Sequence, residues 1–366
     1  MTARDVPLVL VAAGGTGGHL FPAEALAAAL AKHGIAVDLA TDKRAAHFKF
    51  PAREVHLIPS ATLRGRNPLA YARTATVLGF GVVKAWMVLG RVRPAIVVGF
   101  GGYPTVPPLY AATLRGIPTL LHEQNGVMGR ANRLLAARVT AIATGFRDVA
   151  GVDPAVKAKM TFTGNPVRPA VAAAAATPFA EPAPDGKFRL TVFGGSQGAR
   201  VMADVVPAAI ERLTSDLRGR LAITQQARGE DLTRVREAYA RLGVAAETAD
   251  FFNDLPTRVA TSHLVVSRSG ASTVAELSAI GRPAILVPLP HALDQDQLAN
   301  AGVLEKSGGA IRIDQSAFTP DRLAGELTAL AGDPARLGRM AAAAKTAGVI
   351  DAADRLADLV MKVAAL

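Results

Sequence analysis

One kind of turn, repeated along the chain, limits what it can fold into. Residues 8–13 (LVLVAA) carry no polar side chain, as expected of a strand buried on both faces. Gly14-Gly15-Thr16-Gly17-Gly18 and His19 follow, and after Pro22 comes a run of helix formers. The glycines therefore occupy a strand-to-helix turn. There, bare backbone N–H groups and the positive end of a helix can approach an anion. The stretches VVGFGGYPT at 97–105, LTVFGGSQGAR at 190–200 and VVSRSGASTVAEL at 265–277 repeat the pattern of apolar strand and small-residue turn. The loops at 14–18 and 194–198 open two similar units in the two halves of the chain. This spacing predicts two doubly wound α/β domains facing each other across a cleft. Neither loop is a P-loop, because no Gly-Lys-Ser/Thr follows. Neither carries the third glycine of the dinucleotide fingerprint.

The rest of the pattern fits that plan. Strands are expected at 8–13, 35–40, 54–58, 95–99, 118–122, 139–143 and 160–163, and again at 189–193, 220–224, 244–248, 263–267, 284–288 and 310–313. Helical stretches separate most of them, and helices are expected at 320–331, 334–345 and 351–364. We expect an N-terminal domain over 1–164, a connector rich in proline and alanine over 165–187, and a C-terminal domain over 188–350. The final helix, 351–366, could pack back on the first domain, which the sequence alone does not decide. A chain of 366 residues suits two such domains, and its abundant glycine and alanine suit close packing of helix on sheet. The absence of cysteine excludes disulfides and thiolate metal sites. The N-terminus leads straight into a strand without the pattern of a secretory signal, so a cytosolic chain is expected.

Charge is strongly polarised. Residues 1–165 hold 19 Lys and Arg against 8 Asp and Glu, whereas residues 166–366 hold 22 of each. A positive first half suits an anionic surface. Nucleic acid is not expected, because no basic cluster is interleaved with aromatics. Between Arg73 and Arg91 the only charge is Lys84. That apolar stretch is a core helix, a helix that lays one face on a bilayer, ringed by Arg64, Arg66, Arg73, Lys84, Arg91 and Arg93, or, against its lysine and two glycines, a membrane span.

Several residues stand where chemistry is expected. His19 ends the first glycine loop, where an imidazole could be a general base or could cap the helix. His122, Glu123 and Asn125 follow a strand, at the end where α/β sheets place ligands. Glu123 is a second candidate base. Glu276 begins a helix after SGAST, where it could accept hydrogen bonds from both ribose hydroxyls or serve only as an acid at a helix N-terminus.

Seven segments then appear in order: GGTGGHLFPAEALA, GFGGYPTVPP, LLHEQNGVMGRANRLL, TGNPVR, FGGSQGAR, SRSGASTVAEL and GRPAILVPLPHALDQDQLANA. Together they resemble the MurG family of N-acetylglucosaminyltransferases, and the likeness covers nearly the whole chain. The resemblance implies a GT-B fold, UDP-GlcNAc as donor and undecaprenyl-diphospho-MurNAc-pentapeptide (lipid I) as acceptor, with inversion at the anomeric carbon. It implies a peripheral enzyme on the cytoplasmic face of the inner membrane, at an anionic surface, with cell-wall synthesis proteins as partners. It needs neither cofactor nor metal, because loop amides can hold a leaving diphosphate. On this reading Thr16, Gly17 and Gly18 face the donor sugar and the acceptor diphosphate, while Ser196 in the loop 194–198 holds the UDP diphosphate. The family pattern also places Asn125 and Gln297 on the donor sugar and Phe252 near the uracil. It sets Arg168 beside the connector and Ala271, Ser272, Thr273, Val274, Ala275 and Glu276 along the nucleotide. Asp294-Gln295-Asp296 looks like a metal-binding DxD, but it lies in a segment that matches the family without needing a metal. Rival readings are a related GT-B transferase, a UDP-GlcNAc 2-epimerase, and a non-enzymatic nucleotide-sugar binder.

Overall fold

In the first half of the chain, seven parallel strands form one sheet: β1 (Leu8–Ala12), β2 (Ala36–Thr41), β3 (Val55–Leu57), β4 (Ile96–Gly99), β5 (Thr119–Glu123), β6 (Ala141–Thr144) and β7 (Met160–Phe162). Their order is β3-β2-β1-β4-β5-β6-β7. β1 lies between β2 and β4, with Val9 opposite both Val37 and Ile96. The computed structural model describes residues 6–14, 17–45, 49–62, 67–195, 198–290 and 294–366.

Strand alternation divides the core of this sheet between its two faces. Val9, Val11 and Ala13 pack with Leu26 and Leu30 of helix α1 (Gly17–Lys32). Leu10, Ala12 and Val97 pack on the other side with Ala85 and Leu89 of α2 (Pro68–Val92), Leu109 of α3 (Val106–Leu114) and Leu135 of α4 (Arg130–Ala136). Both faces are covered, so β1 has no position for a polar side chain.

A second sheet holds β8 (Phe188–Phe193), β9 (Leu221–Gln226), β10 (Ala245–Ala249), β11 (Leu264–Ser267), β12 (Ala284–Leu286) and β13 (Ala310–Arg312). They are parallel in the order β10-β9-β8-β11-β12-β13. In each sheet the order reverses beside the first strand, between β1 and β4 and between β8 and β11. The carboxyl ends of strands at such a point leave a crevice. All four small-residue turns start from these strands.

Contacts divide the chain into two units, Met1–Arg168 with Asp351–Leu366, and Pro169–Ile350. The closing helix Ala352–Ala364 buries Leu356, Ala357 and Val360 in the core shared by β1 and α1, and Asp354 pairs with Lys32 at 2.7 Å. The segment 169–187 has partners within the second unit. Arg282, 1% exposed, donates to the carbonyls of Thr177 and Pro178, and Lys345 Nζ donates to Ala175. Burial brings the Arg282 guanidinium down to a pKa of about 10. Strand β9 continues past Thr224 through two glutamines. There Gln225 accepts from the buried Tyr239 hydroxyl, and Gln226 accepts from Gly194 N at 3.2 Å.

Helix α2 is not a core helix. Phe80, Val83, Trp86 and Met87 are 63, 56, 46 and 56% exposed, and its buried side is narrow, with Thr74, Gly81, Ala85 and Leu89. Gly81 lets the helix approach the Pro59 carbonyl, where a Cβ would stand 2.2 Å away. The Arg115 guanidinium lies 3.7 Å from the centre of the Trp86 ring. Arg64 and Arg66, the other basic residues expected near this helix, lie outside the described residues.

Candidate active site

In the first unit the switch point gathers three segments. Phe100 N donates to Ala12 O, which sets the turn after β4 against the end of β1. That turn runs through Gly101 and Gly102, both at positive φ (+86° and +74°). His19, in the first turn of α1, lies over this backbone: a Cβ on Gly102 would stand 3.4 Å from its Cδ2 and Nε2. Any other residue at these positions would be strained in its backbone, and its Cβ would lie in van der Waals contact with the imidazole. Gly17 and Gly18 belong to the same helical turn, whose N–H groups have no acceptor within the helix. Arg168 comes to the same helix, its guanidinium 4.8 Å from the Phe21 ring. Burial raises the nearby Glu24 carboxyl, and Arg168 opposes this in part. Thr16 lies outside the described residues.

The third segment is the turn after β5. Glu123 is 1% exposed, and its two oxygens are engaged by four N–H groups. Oε1 accepts from Asn125 N (2.9 Å) and Nδ2 (3.3 Å), and Oε2 accepts from Gly129 N (2.9 Å) and Asn132 Nδ2 (2.8 Å). Burial pushes this carboxyl up, against the pull of the four donors. The geometry is that of a brace that closes residues 123–132 into a fixed loop. His122 is sealed as well: its Nε2 lies 3.1 Å from Gly164 O, and burial lowers its pKa to about 4, so the ring is neutral. Gln124, not among the candidates the sequence offers, donates from Nε2 to Phe100 O at 2.9 Å and lies 3.4 Å from His19 Nδ1. Its position between two named residues of HEQN was the available signal.

The second unit repeats the scheme. Gly194 could not carry a side chain, since Gly198 and Ala199 return close against it and a Cβ would meet Ala199 N. Ser196 lies outside the described residues. Across the switch point, helix Ala271–Ile280 starts at Gly270 with no side chain capping it. The N–H groups of Ala271, Ser272 and Thr273 thus begin the helix as Gly17 and Gly18 begin α1. Val274 is core, Ala275 and Glu276 are half-buried one turn further on, and Ser272 Oγ is buried with no partner among the described residues.

Gln297 joins this group through its backbone, as Ser269 Oγ donates to Gln297 O at 2.7 Å. Its side chain faces inward to its own loop, where Oε1 accepts from Leu289 N at 3.0 Å. Asp296 accepts from Gln297 N at 2.9 Å. Phe252 is buried below the Arg258 guanidinium, 4.4 Å from its ring centre, while its neighbour Phe251 is exposed. Arg258 is in turn held by Glu247 and Asp254.

Three acid or imidazole groups come together elsewhere. Asp38, Glu54 and His56 lie within ligand distance of one another. Arg53 grips both Asp38 oxygens at 3.0 Å, and Arg91 holds Glu54 at 2.7 Å. Burial raises the Asp38 carboxyl, but Arg53 and His56 outweigh it and hold it below its ordinary value. This is an ion-pair network in which the carboxylates already have cationic partners.

Two doubly wound units with glycine turns at both switch points define a GT-B protein. Comparison with known proteins narrows the class. Residues 9–144 match the glycosyltransferase family 28 N-terminal domain, and residues 189–356 match the family 28 C-terminal domain. A Nitrobacter hamburgensis protein, UDP-N-acetylglucosamine–N-acetylmuramyl-(pentapeptide) pyrophosphoryl-undecaprenol N-acetylglucosamine transferase, is 62% identical over 98% of each chain. A Bradyrhizobium diazoefficiens protein of the same name is 59% identical over 98% of this chain and 99% of its own. The crystal structure of Acinetobacter baumannii MurG superposes with a TM-score of 0.78 at 27% identity, covering 97% of this chain and 99% of that one. The chain belongs to glycosyltransferase family 28 and, within it, to the MurG family. The UDP-GlcNAc 2-epimerase of Neisseria meningitidis, at TM-score 0.67 and 15% identity over 98% of this chain and all of that one, shares the fold alone.

Proposed function

We propose that this chain transfers N-acetylglucosamine from UDP-GlcNAc to the 4-hydroxyl of MurNAc in lipid I, forming lipid II with inversion. The identity of 62% over 98% of both chains carries this reading. The hydroxyl oxygen attacks the anomeric carbon, the bond to the diphosphate breaks with its electron pair going to UDP, and the hydroxyl proton is released. The test is UDP release from UDP-GlcNAc with a lipid I analogue, in excess chelator. Release that depends on the analogue supports the transferase. An epimerised sugar nucleotide formed without acceptor would support the epimerase instead. A requirement for divalent ion, restored by Mg²⁺ or Mn²⁺, would overturn metal independence and bring back Asp294 and Asp296.

Supporting this reading, the second unit offers the Gly195 amide and the helix-start amides of residues 271–273 for the diphosphate, and Glu276 for the ribose. On the same reading Ser196 serves the diphosphate, Phe252 the base and Gln297 the donor sugar. Gly17, Gly18, Thr16, Asn125 and Arg168 serve the sugar and the acceptor diphosphate. His19 is the side chain at the reacting oxygens, and Glu123 acts by bracing its surroundings. Replacing Glu276 with alanine weakens both UDP and UDP-GlcNAc binding by about 1–3 kcal/mol, as for a hydrogen bond to a charged group. Calorimetry checks this, and unchanged UDP affinity would remove Glu276 from the ribose.

The protein acts as a peripheral enzyme on the cytoplasmic face of the inner membrane. Support comes from the apolar face of α2, exposed in the unit that carries the excess of positive charge. Phe80→Asp with Met87→Asp lowers affinity for anionic vesicles at least about tenfold, in line with the transfer energy of such side chains. Folding stays intact, because both residues are exposed. Salt weakens the wild-type binding. Equal binding to neutral and anionic vesicles, or no effect of the double substitution, would refute the assignment.

A further inference from the structure

Gln124 lies against the His19 imidazole at the first switch point. The side chain of Gln124 is 4% exposed. Its amide nitrogen lies 2.9 Å from Phe100 O, an atom that can only accept. The nitrogen, not the oxygen, must therefore occupy that end of the carboxamide. The same nitrogen lies 3.4 Å from His19 Nδ1. Its second N–H is thus aimed at Nδ1, which has to accept. A neutral imidazole that accepts at Nδ1 holds its proton at Nε2. Turning the amide over would set its oxygen against the Phe100 carbonyl.

The surroundings hold this arrangement in place. Asn165 Nδ2 donates to Gln124 O at 2.9 Å, and Glu123 on one side and Asn125 on the other are tied into the same braced turn. The imidazole rests on Gly101 and Gly102, so the ring lies between a fixed backbone and a fixed amide. A doubly protonated ring would point Nδ1–H at an NH2 group. The helix N-terminus, with its partial positive charge, also disfavours the cation.

We infer that Gln124 is a positioning residue that keeps His19 neutral with its proton on Nε2, so that His19 serves the transfer as an N–H donor to an oxygen and not as the proton acceptor. The inference rests on His19 being the side chain at the reacting oxygens. A neutral imidazole at a helix start can stabilise developing negative charge on oxygen without giving up its proton. The proton of the attacking hydroxyl then passes to water or to the departing diphosphate, both present in the reaction. No bond is made or broken at His19.

The test is ¹⁵N NMR of the full chain labelled at histidine, recorded near pH 7, with the His19 signals assigned by their loss in His19→Gln. We expect a protonated Nε2 and an unprotonated Nδ1. In Gln124→Glu, whose carboxylate can only accept, the proton moves to Nδ1 and turnover falls at least tenfold. A wild-type ring protonated at Nδ1, or at both nitrogens, would overturn the inference, as would a Gln124→Glu enzyme in which the proton moves and turnover is kept or raised. The tautomer is read without any substrate, so failure of the proposed reaction and failure of this inference are distinguishable.

Discussion

Replacing His19 with alanine lowers turnover by about 10²–10³-fold, the usual loss when one donor to a developing oxyanion is removed. UDP affinity stays near its wild-type value, because the groups assigned to the nucleotide lie on other segments. Stability also changes little: His19 is half-buried in the first turn of α1, and alanine is the best helix former. His19→Gln separates the two roles open to an imidazole here. An amide can donate an N–H but cannot take a proton at neutral pH. Partial recovery of turnover in His19→Gln relative to His19→Ala supports a donor. Equal loss in both, with the acid limb of the pH–rate profile removed, would make His19 a base. Steady-state rates at saturating donor and acceptor, with calorimetry for UDP, provide both readings.

Glu123→Ala has the largest effect on stability. The carboxylate accepts from four N–H groups in a site that is 1% exposed, so its removal leaves Asn125 N, Asn125 Nδ2, Gly129 N and Asn132 Nδ2 without it. Breaking a buried charged brace of this kind costs about 3–5 kcal/mol. Glu123→Gln costs less. One oxygen remains for Asn125, and Asn132 can turn its amide so that Oδ1, which has no partner among the described residues, meets the new NH2; of the four donors only Gly129 N then loses its acceptor. Urea unfolding followed by circular dichroism and by Trp86 fluorescence measures the difference, since Trp86 is the sole tryptophan and lies in the first unit. Turnover falls along with stability in Glu123→Ala, because the same loop holds Gln124 against His19. If Glu123→Ala were as stable as the wild type while losing only the acid limb, Glu123 would be the base and not a brace.

Much of this molecule is legible in its sequence. Each of the thirteen strands among the described residues lies within two residues of where apolar runs and turn residues put it, because apolar side chains dominate strands covered on both faces and turn residues bound them. The glycine loops mark the ends of β1, β4 and β8, because close approach and positive φ leave little choice but glycine at positions such as 101, 102 and 194. Family membership was legible too, since seven segments in register are far more specific than any one of them.

Other features were decided by tertiary contacts. An apolar stretch at 75–90 reads the same whether a helix is covered or not; only the narrow contact of α2 with the unit leaves Phe80, Val83 and Met87 exposed. Strand β9 runs on through Gln225 and Gln226 because Tyr239 and Gly194 supply hydrogen-bond partners from elsewhere. A glutamate at a strand end looks like a free acid in the sequence, and four N–H groups from the turn that follows it make it a brace. Local sequence determined the strands and turns, since periodicity and backbone conformation depend on near neighbours. Which atoms meet at the first switch point was decided by parallel crossovers, which bring Gln124 within 3.4 Å of His19 across a separation of 105 residues.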